Sequence, residues 1–259
     1  VKMTGGKPTV GHLLRVPVPQ APAARETRVA GTLNTDMLAD PEKLAGILKP
    51  VLSQVKWGTN FACVSISHHL GLLRYFNMPG IERRFWKTAI PAEAKKYIPI
   101  QFADLITDFQ VNILPPGPDR KPRQAVLFGV THRKNVDGIN ALCQKLGYNL
   151  VGVEMAPLSV SRLWDQVEGV YPPPPYVQIH FDGGRVRMVI SEGGLPIFFR
   201  EVFLGPEASL QDLRKIDLGG CIDFTRKQLG ARPPAQLRVS GNLPNLDAWK
   251  DALAAEAGL

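Results

Sequence analysis

At 259 residues, with 44% hydrophobic residues and a net charge of +8, the chain can hold two domains, or one with an insertion, around a sizeable core. No apolar run approaches the roughly 18 residues that span a bilayer, and the opening VKMTGGKPTVGH lacks the apolar stretch of a signal peptide, so any membrane contact is expected through a partner or through segments outside this sequence. Blocks of consecutive Lys or Arg are absent, so the charge reads first as a solvated basic surface, with anionic lipid, nucleic acid or an acidic partner behind it.

Near the start, Gly5-Gly6 predicts a turn, with Val10 to Val18 returning as a strand and Pro17 to Ala24 forming a Pro/Ala-rich loop. Asp40-Pro41 then offers an N-cap followed by a proline in the first helical position. Leu44, Ile47, Leu48, Val51, Leu52 and Val55 recur behind it at helical spacing, and Pro50 inside that pattern should kink the helix. Phe61 to Gly80 alternates apolar and polar residues and stops at Pro79-Gly80, which predicts a pair of strands. Lys95 to Phe109 carries the end of an amphipathic helix, a turn at Ile98-Pro99-Ile100 and a strand closing in Asp108-Phe109. The helix places Ile81, Phe85, Ala89 and Tyr97 near one face, and Arg83, Arg84, Lys87, Lys95 and Lys96 on a basic outer face.

Pro115 to Arg123 is a polar loop, Gln124 to Gly129 a buried strand, and Arg133 to Leu146 a helix that Gly147 ends. Leu150 to Glu154 is a strand, and Ala156-Pro157 opens a helix through Trp164. Four consecutive prolines between Tyr171 and Tyr176 mark a linker. Beyond them, Val177 to Phe181, Arg185 to Ser191 and Ile197 to Phe203 read as three strands joined at Gly183-Gly184 and Gly193-Gly194. Leu210 to Leu229 is mainly helical, weakened at Gly219-Gly220; Leu237 to Ser240 is a strand and Asp247 to Ala257 a last helix.

The three cysteines, Cys63, Cys143 and Cys221, are far apart in apolar surroundings, which predicts core packing in a reducing cytoplasm and no structural zinc. His68 and His69, adjacent on a strand, face opposite ways and cannot share a metal. No Ser-His-Asp combination sits in a G-x-S-x-G context. The chain opens without an initiator methionine, as a fragment or processed product would.

Several pieces then fall in a recognisable order. Met78-Pro79, a helix over Trp86 to Lys96, Tyr97-Ile98-Pro99 and the strand closing in Asp108-Phe109 precede Gly147, Pro157-Leu158 and Arg162, and a meander closing in Phe199-Arg200-Glu201-Val202. This succession resembles the type IV pilus assembly protein PilM family nearly end to end; the cytoplasmic part of the type II secretion protein GspL and the pilus-biogenesis protein MshI share the plan. The resemblance implies an α/β, actin-like (ribonuclease-H-like) two-lobed fold with an inserted strand-helix-strand-strand subdomain. Residues 1–60 and 148–170 would form the first lobe, 61–147 the insertion and 171–259 an abbreviated second lobe.

Actin-like proteins hold ATP between glycine-containing hairpins, with carboxylates on magnesium. Set against that pattern, the site is degenerate. Lys2 would be a motif lysine without its loop. His180 and Asp182 stand where Asp-x-Gly is expected, beside Gly183-Gly184, and the adenosine turn is reduced to Ser240-Gly241-Asn242. An aspartate at the phosphate position repels phosphate. The resemblance therefore implies no catalytic residues, cofactor or metal, but a cytoplasmic scaffold subunit, peripheral at the inner membrane. Its implied partner is the N-terminal cytoplasmic tail of a PilN-like bitopic membrane protein, in a groove lined by Arg74, Arg84, Trp86, Tyr97 and Phe102, with the motor ATPase as a further contact and no nucleic acid. The alternatives are a GspL-like domain docking the motor ATPase, and an ATP-binding switch or ATPase truncated at its first phosphate loop.

Overall fold

The computed structural model describes residues 2–4, 7–17, 38–67, 70–98, 104–116, 119–170, 173–182 and 184–259. The chain divides into two compact units. The first comprises Val1–Leu73, Lys87–Gln110 and Phe128–Ser159; the second comprises Arg74–Trp86, Val111–Leu127 and Val160–Leu259.

In the first unit, β1 (Lys2–Thr4) pairs antiparallel with β2 (Lys7–Thr9), Lys2 opposite Thr9. The returning strand is thus Lys7–Thr9, not the expected Val10 to Val18, and residues 10–17 run without regular pairing. The turn glycines, Pro17–Ala24 beyond residue 17, and His68-His69 lie outside the described residues. Helix α1 (Pro41–Leu52) begins where the sequence sets its cap: the Lys43 amide donates to Asp40 Oδ1 at 2.9 Å, with Pro41 behind it. Pro50 sits in the last turn, where a missing N–H shortens the helix.

Strands β3 (Phe61–Ile66) and β4 (Gly71–Pro79) both form, but not as a pair. Among the described residues β3 runs parallel to β7 (Asn149–Met155), while β4 lies in a separate three-stranded sheet ordered β4-β6-β5. Alternation fixes that a strand exists and which face it buries; it does not name the neighbour. Strand β5 (Leu105–Leu114) continues past Asp108-Phe109, because Ile106 to Leu114 keeps β-prone residues to Leu114. Strand β6 (Arg123–His132) is central in the order and buried on both faces from Gln124 to Phe128.

Helix α2 (Trp86–Ala94) follows a short 3-10 turn at Arg83–Phe85, and α3 (Arg133–Lys145) precedes Gly147, whose φ of +82° closes it. Helices α1 and α3 cover one side of the β3–β7 pair with Leu44, Ile139 and Cys143, joined by Leu38, Ile66 and Leu70. Buried Asn135 on α3 donates to the Leu70 carbonyl at 2.9 Å and to Thr131 Oγ1 at 3.0 Å, so a loop carbonyl at the edge of this core keeps its partners.

In the second unit, α4 (Ala156–Glu168) runs beyond Trp164 and, from Val160 on, belongs with β8 (Tyr176–Asp182), β9 (Arg185–Glu192), β10 (Leu195–Phe203) and β11 (Gln236–Gly241). The order is β10-β9-β8-β11: three antiparallel strands turned at Gly193-Gly194, then β11 parallel to β8. Tyr176, expected at the end of a linker, is a fully buried first residue of β8.

The helical run is broken at Asp217, not at Gly219-Gly220. Helix α5 (Leu213–Ile216) ends there, Asp217 takes a left-handed φ of +55°, and α6 (Leu218–Phe224) restarts. Both glycines lie inside α6, and at Gly220 a Cβ would stand 2.3 Å from Asp217 Oδ1, a carboxylate group that Arg200 holds through Oδ2 at 3.2 Å. Helix α7 (Leu246–Ala257) closes the unit, its Trp249 5.1 Å from Phe181 between ring centres. Val177, Ile179, Phe181, Val186, Met188 and Ile190 meet Ile216, Leu218, Trp249 and Leu253 in one apolar core.

Candidate functional site

Period-two alternation divides the second unit's sheet into two unlike faces. Val177, Ile179 and Phe181 enter the core. Tyr176, Gln178, His180 and Asp182 therefore share the other face. The register sets Arg185 opposite Asp182, Arg187 opposite His180, and Ser240 and Arg238 beside His180 and Gln178. Glu201 of β10 stands opposite Arg187.

The charged residues of β8, β9 and β10, with His180 and Ser240, answer one another, whereas the Tyr176 hydroxyl and Gln178 Oε1 are buried without a hydrogen-bond partner among the described residues. Glu201, only 8% exposed, accepts from Arg185 Nη1 at 2.8 Å and Arg187 Nε at 3.0 Å. Arg187 also lies 3.6 Å from Asp182. His180 Nδ1 is 3.0 Å from Ser240 Oγ, as donor or acceptor according to tautomer. Burial, with Arg187 nearby, holds the His180 imidazole below its usual range against the opposing pull of Asp182, so the ring is neutral near pH 7.

His180, Asp182, Ser240 and Gly241, 60 residues apart in sequence, thus meet at the carboxyl ends of adjacent parallel strands, where open α/β sheets place ligand sites. Their geometry does not fit a magnesium–phosphate group. Asp182 faces an arginine, His180 faces Ser240, and a Cβ on Gly241 (φ +129°) would stand 2.1 Å from the Phe181 carbonyl oxygen. That glycine serves the contact between β11 and β8. Among the described residues, no cluster of three or more His, Cys, Asp or Glu side chains is placed to hold a metal ion. Gly183 lies outside the described residues; Lys2 is on β1, and its side chain is not described.

Of the expected partner-binding residues, Arg74 lies on β4, Arg84 in the 3-10 turn and Trp86 at the start of α2, all in the second unit; Tyr97 lies just after α2 in the first unit, and Phe102 is outside the described residues. The Trp86 indole donates to the Ile81 carbonyl at 3.1 Å, and the Arg83 guanidinium lies 5.9 Å from its ring centre. Arg84 pairs with Glu82 at 2.8 Å and stacks 4.7 Å from the Phe85 ring centre.

Sequence reasoning missed the most buried charge among the described residues. Arg238 on β11, its side chain 4% exposed, contacts Asp165 at 3.4 Å and Glu168 on α4, and its guanidinium lies 3.6 Å from the Tyr176 ring centre. The available signal was the alternation of Gln236, Arg238 and Ser240 in a strand whose other residues are apolar; its partners, 70 and 73 residues away, carry no local mark.

Two outcomes follow from this geometry. Arg238→Ala should cost about 3 kcal/mol, because it strands two carboxylates beside a buried tyrosine, and chemical denaturation measures it; a loss below about 1 kcal/mol would make the cluster incidental. At His180, the unfolded chain takes up a proton below about pH 6.5 that the folded chain resists, so this group's contribution is full above that pH and is lost as pH falls. The urea midpoint of His180→Gln should therefore decline less between about pH 7 and pH 5 than that of the parent. His132, held low by burial and Lys134, adds to the slope in the same direction.

No protein-family model matches the chain, and no curated protein matches its sequence. Among solved structures, a chain of the "PilM-PilN type IV pilus biogenesis complex" aligns at a TM-score of 0.67 and 16% identity, covering 93% of this chain and 78% of that one. The cytoplasmic domain of EpsL, an inner membrane component of the type II secretion system of Vibrio cholerae, aligns at 0.45 and 12% identity, covering 82% and 79%. A Bacteroides thetaiotaomicron protein described as having an actin-like ATPase fold and unknown function aligns at 0.40 and 12%, covering 83% and 74%. Only the first score supports a conclusion. The chain has the fold of a component of a pilus-biogenesis complex, the α/β, actin-like fold that its motif order implies.

Proposed function

We propose that this chain is a non-enzymatic scaffold subunit of a type IV pilus assembly platform, held at the cytoplasmic side of the inner membrane by the N-terminal tail of a PilN-like membrane protein. The supporting observation is the fold-wide likeness to a chain of a complex that is itself named for two such components, together with the order of motifs along the sequence. Among the described residues no helix is long and apolar enough to cross a membrane, which accords with attachment through a partner.

The proposed role for Arg74, Arg84, Trp86, Tyr97 and Phe102 is to receive an extended peptide, with aromatic side chains for its apolar residues and arginines for its carboxylates or terminal groups. Residues 61–147 are kept as the inserted subdomain that presents them. The internal pairing of Asp182 with Arg187 and His180 with Ser240 supports a scaffold over an ATP-hydrolysing switch, since a nucleotide would have to break both contacts before meeting an aspartate.

Fluorescence anisotropy with synthetic N-terminal tails of membrane proteins encoded beside this chain tests the first part. One tail should bind saturably, and Arg84→Glu, an exposed change that spares the core, should weaken it about tenfold, the equivalent of 1.4 kcal/mol. If no tail binds, the scaffold proposal loses its partner. Titration with Mg-ATP tests the second part: no saturable heat is expected, and micromolar affinity would instead identify a nucleotide switch.

A further inference from the structure

The turn before α2 has features that tail binding leaves unused. Over Glu82 to Trp86 the chain reads Glu-Arg-Arg-Phe-Trp, two cations against one carboxylate, and Lys87 follows. Phe85 is 50% exposed, Arg83 and Arg84 are exposed, and Trp86 is half-buried. The indole N–H is already satisfied by the Ile81 carbonyl at 3.1 Å, so the ring can present an apolar edge while its polar atom keeps a partner. Arg84 stacks on Phe85 at 4.7 Å, and Arg83 lies 5.9 Å from Trp86.

An exposed aromatic beside a pair of arginines costs solubility in water and gains at a lipid–water interface, where rings sit at headgroup level and guanidinium groups meet phosphates. The contrast within the second unit is Phe203, also exposed and also beside an arginine. Its Arg185 is tied to Glu201 at 2.8 Å, so that pair has its countercharge built in. Among the described residues, the turn at Arg83–Phe85 has Glu82 as its carboxylate, and Arg84 occupies it.

We infer that the Arg83–Trp86 turn contacts an anionic bilayer directly, Phe85 entering the headgroup layer and Arg83 meeting lipid phosphate. Charge decides the occupant: the chain carries +8 overall, and the leaflet surface facing the cytoplasm is negative. One short turn binds weakly, so the contact orients a chain that is retained by other means. It rests on the proposed place at the cytoplasmic face of the inner membrane, though not on which peptide is bound.

The test is co-sedimentation of the full chain with vesicles of phosphatidylcholine alone and of phosphatidylcholine mixed with phosphatidylglycerol, with no membrane protein present. Binding should require the anionic lipid and weaken with added salt. Arg83→Ala should weaken it about fivefold, and Arg83→Ala with Phe85→Ala should weaken it further. Both positions are exposed, and an unchanged melting temperature would confirm folding. Because Arg84 and Trp86 are untouched, the same double variant should still bind the peptide tail, so failure here and failure of the tail proposal are distinguishable. Equal sedimentation with neutral vesicles, an unaffected double variant, or tighter binding to an RNA oligonucleotide than to anionic vesicles would each overturn the inference.

Discussion

A buried guanidinium cannot be left without countercharge, and the second unit is arranged around that constraint at Arg238. Because the strand's other face belongs to the apolar core, the charge has to be met from the polar side. Asp165 and Glu168 meet it from α4, one turn apart on the helix, and Tyr176 offers the face of its ring. The helix is thereby fixed on the sheet by direction and not only by area. An apolar helix face slides on an apolar sheet at little cost; two carboxylates on one guanidinium do not.

The same sheet shows how a polar surface can be structural without being catalytic. Arg185, Arg187, Glu201 and Asp182 form a ladder across three strands, and His180 and Ser240 extend it to the fourth. Cross-strand opposite charges stabilise a sheet modestly when exposed and more when one member is as buried as Glu201. A set of residues that could be arranged toward a ligand is here arranged inward, each group answering its neighbour in register.

Local chemistry was legible in the sequence wherever one short stretch contains the whole cause. Asp40-Pro41 starts α1 because the capping carboxylate and the donor it satisfies are three residues apart. Gly193-Gly194 turns β9 into β10 because both residues take positive φ. The failures have a common form. The pairing of β3 with β7, the break at Asp217 and the partners of Arg238 each depend on residues far along the chain. At Asp217 the glycines two and three residues later drew attention to themselves, yet they accommodate the break and do not cause it. The candidate site was half legible: the family pattern singled out His180, Asp182 and Ser240, while the parallel register of β8 and β11 that brings Ser240 to His180 is a property of the fold.

Gly241 carries a wider lesson about glycine-rich signatures. A motif search would count it toward a purine-binding turn, yet the Phe181 backbone leaves no space for a methyl group whether or not any small molecule is ever bound. A glycine that strand crowding alone demands would stand there in a binder and a non-binder alike, so its presence is a statement about how closely two backbones approach and not about a ligand.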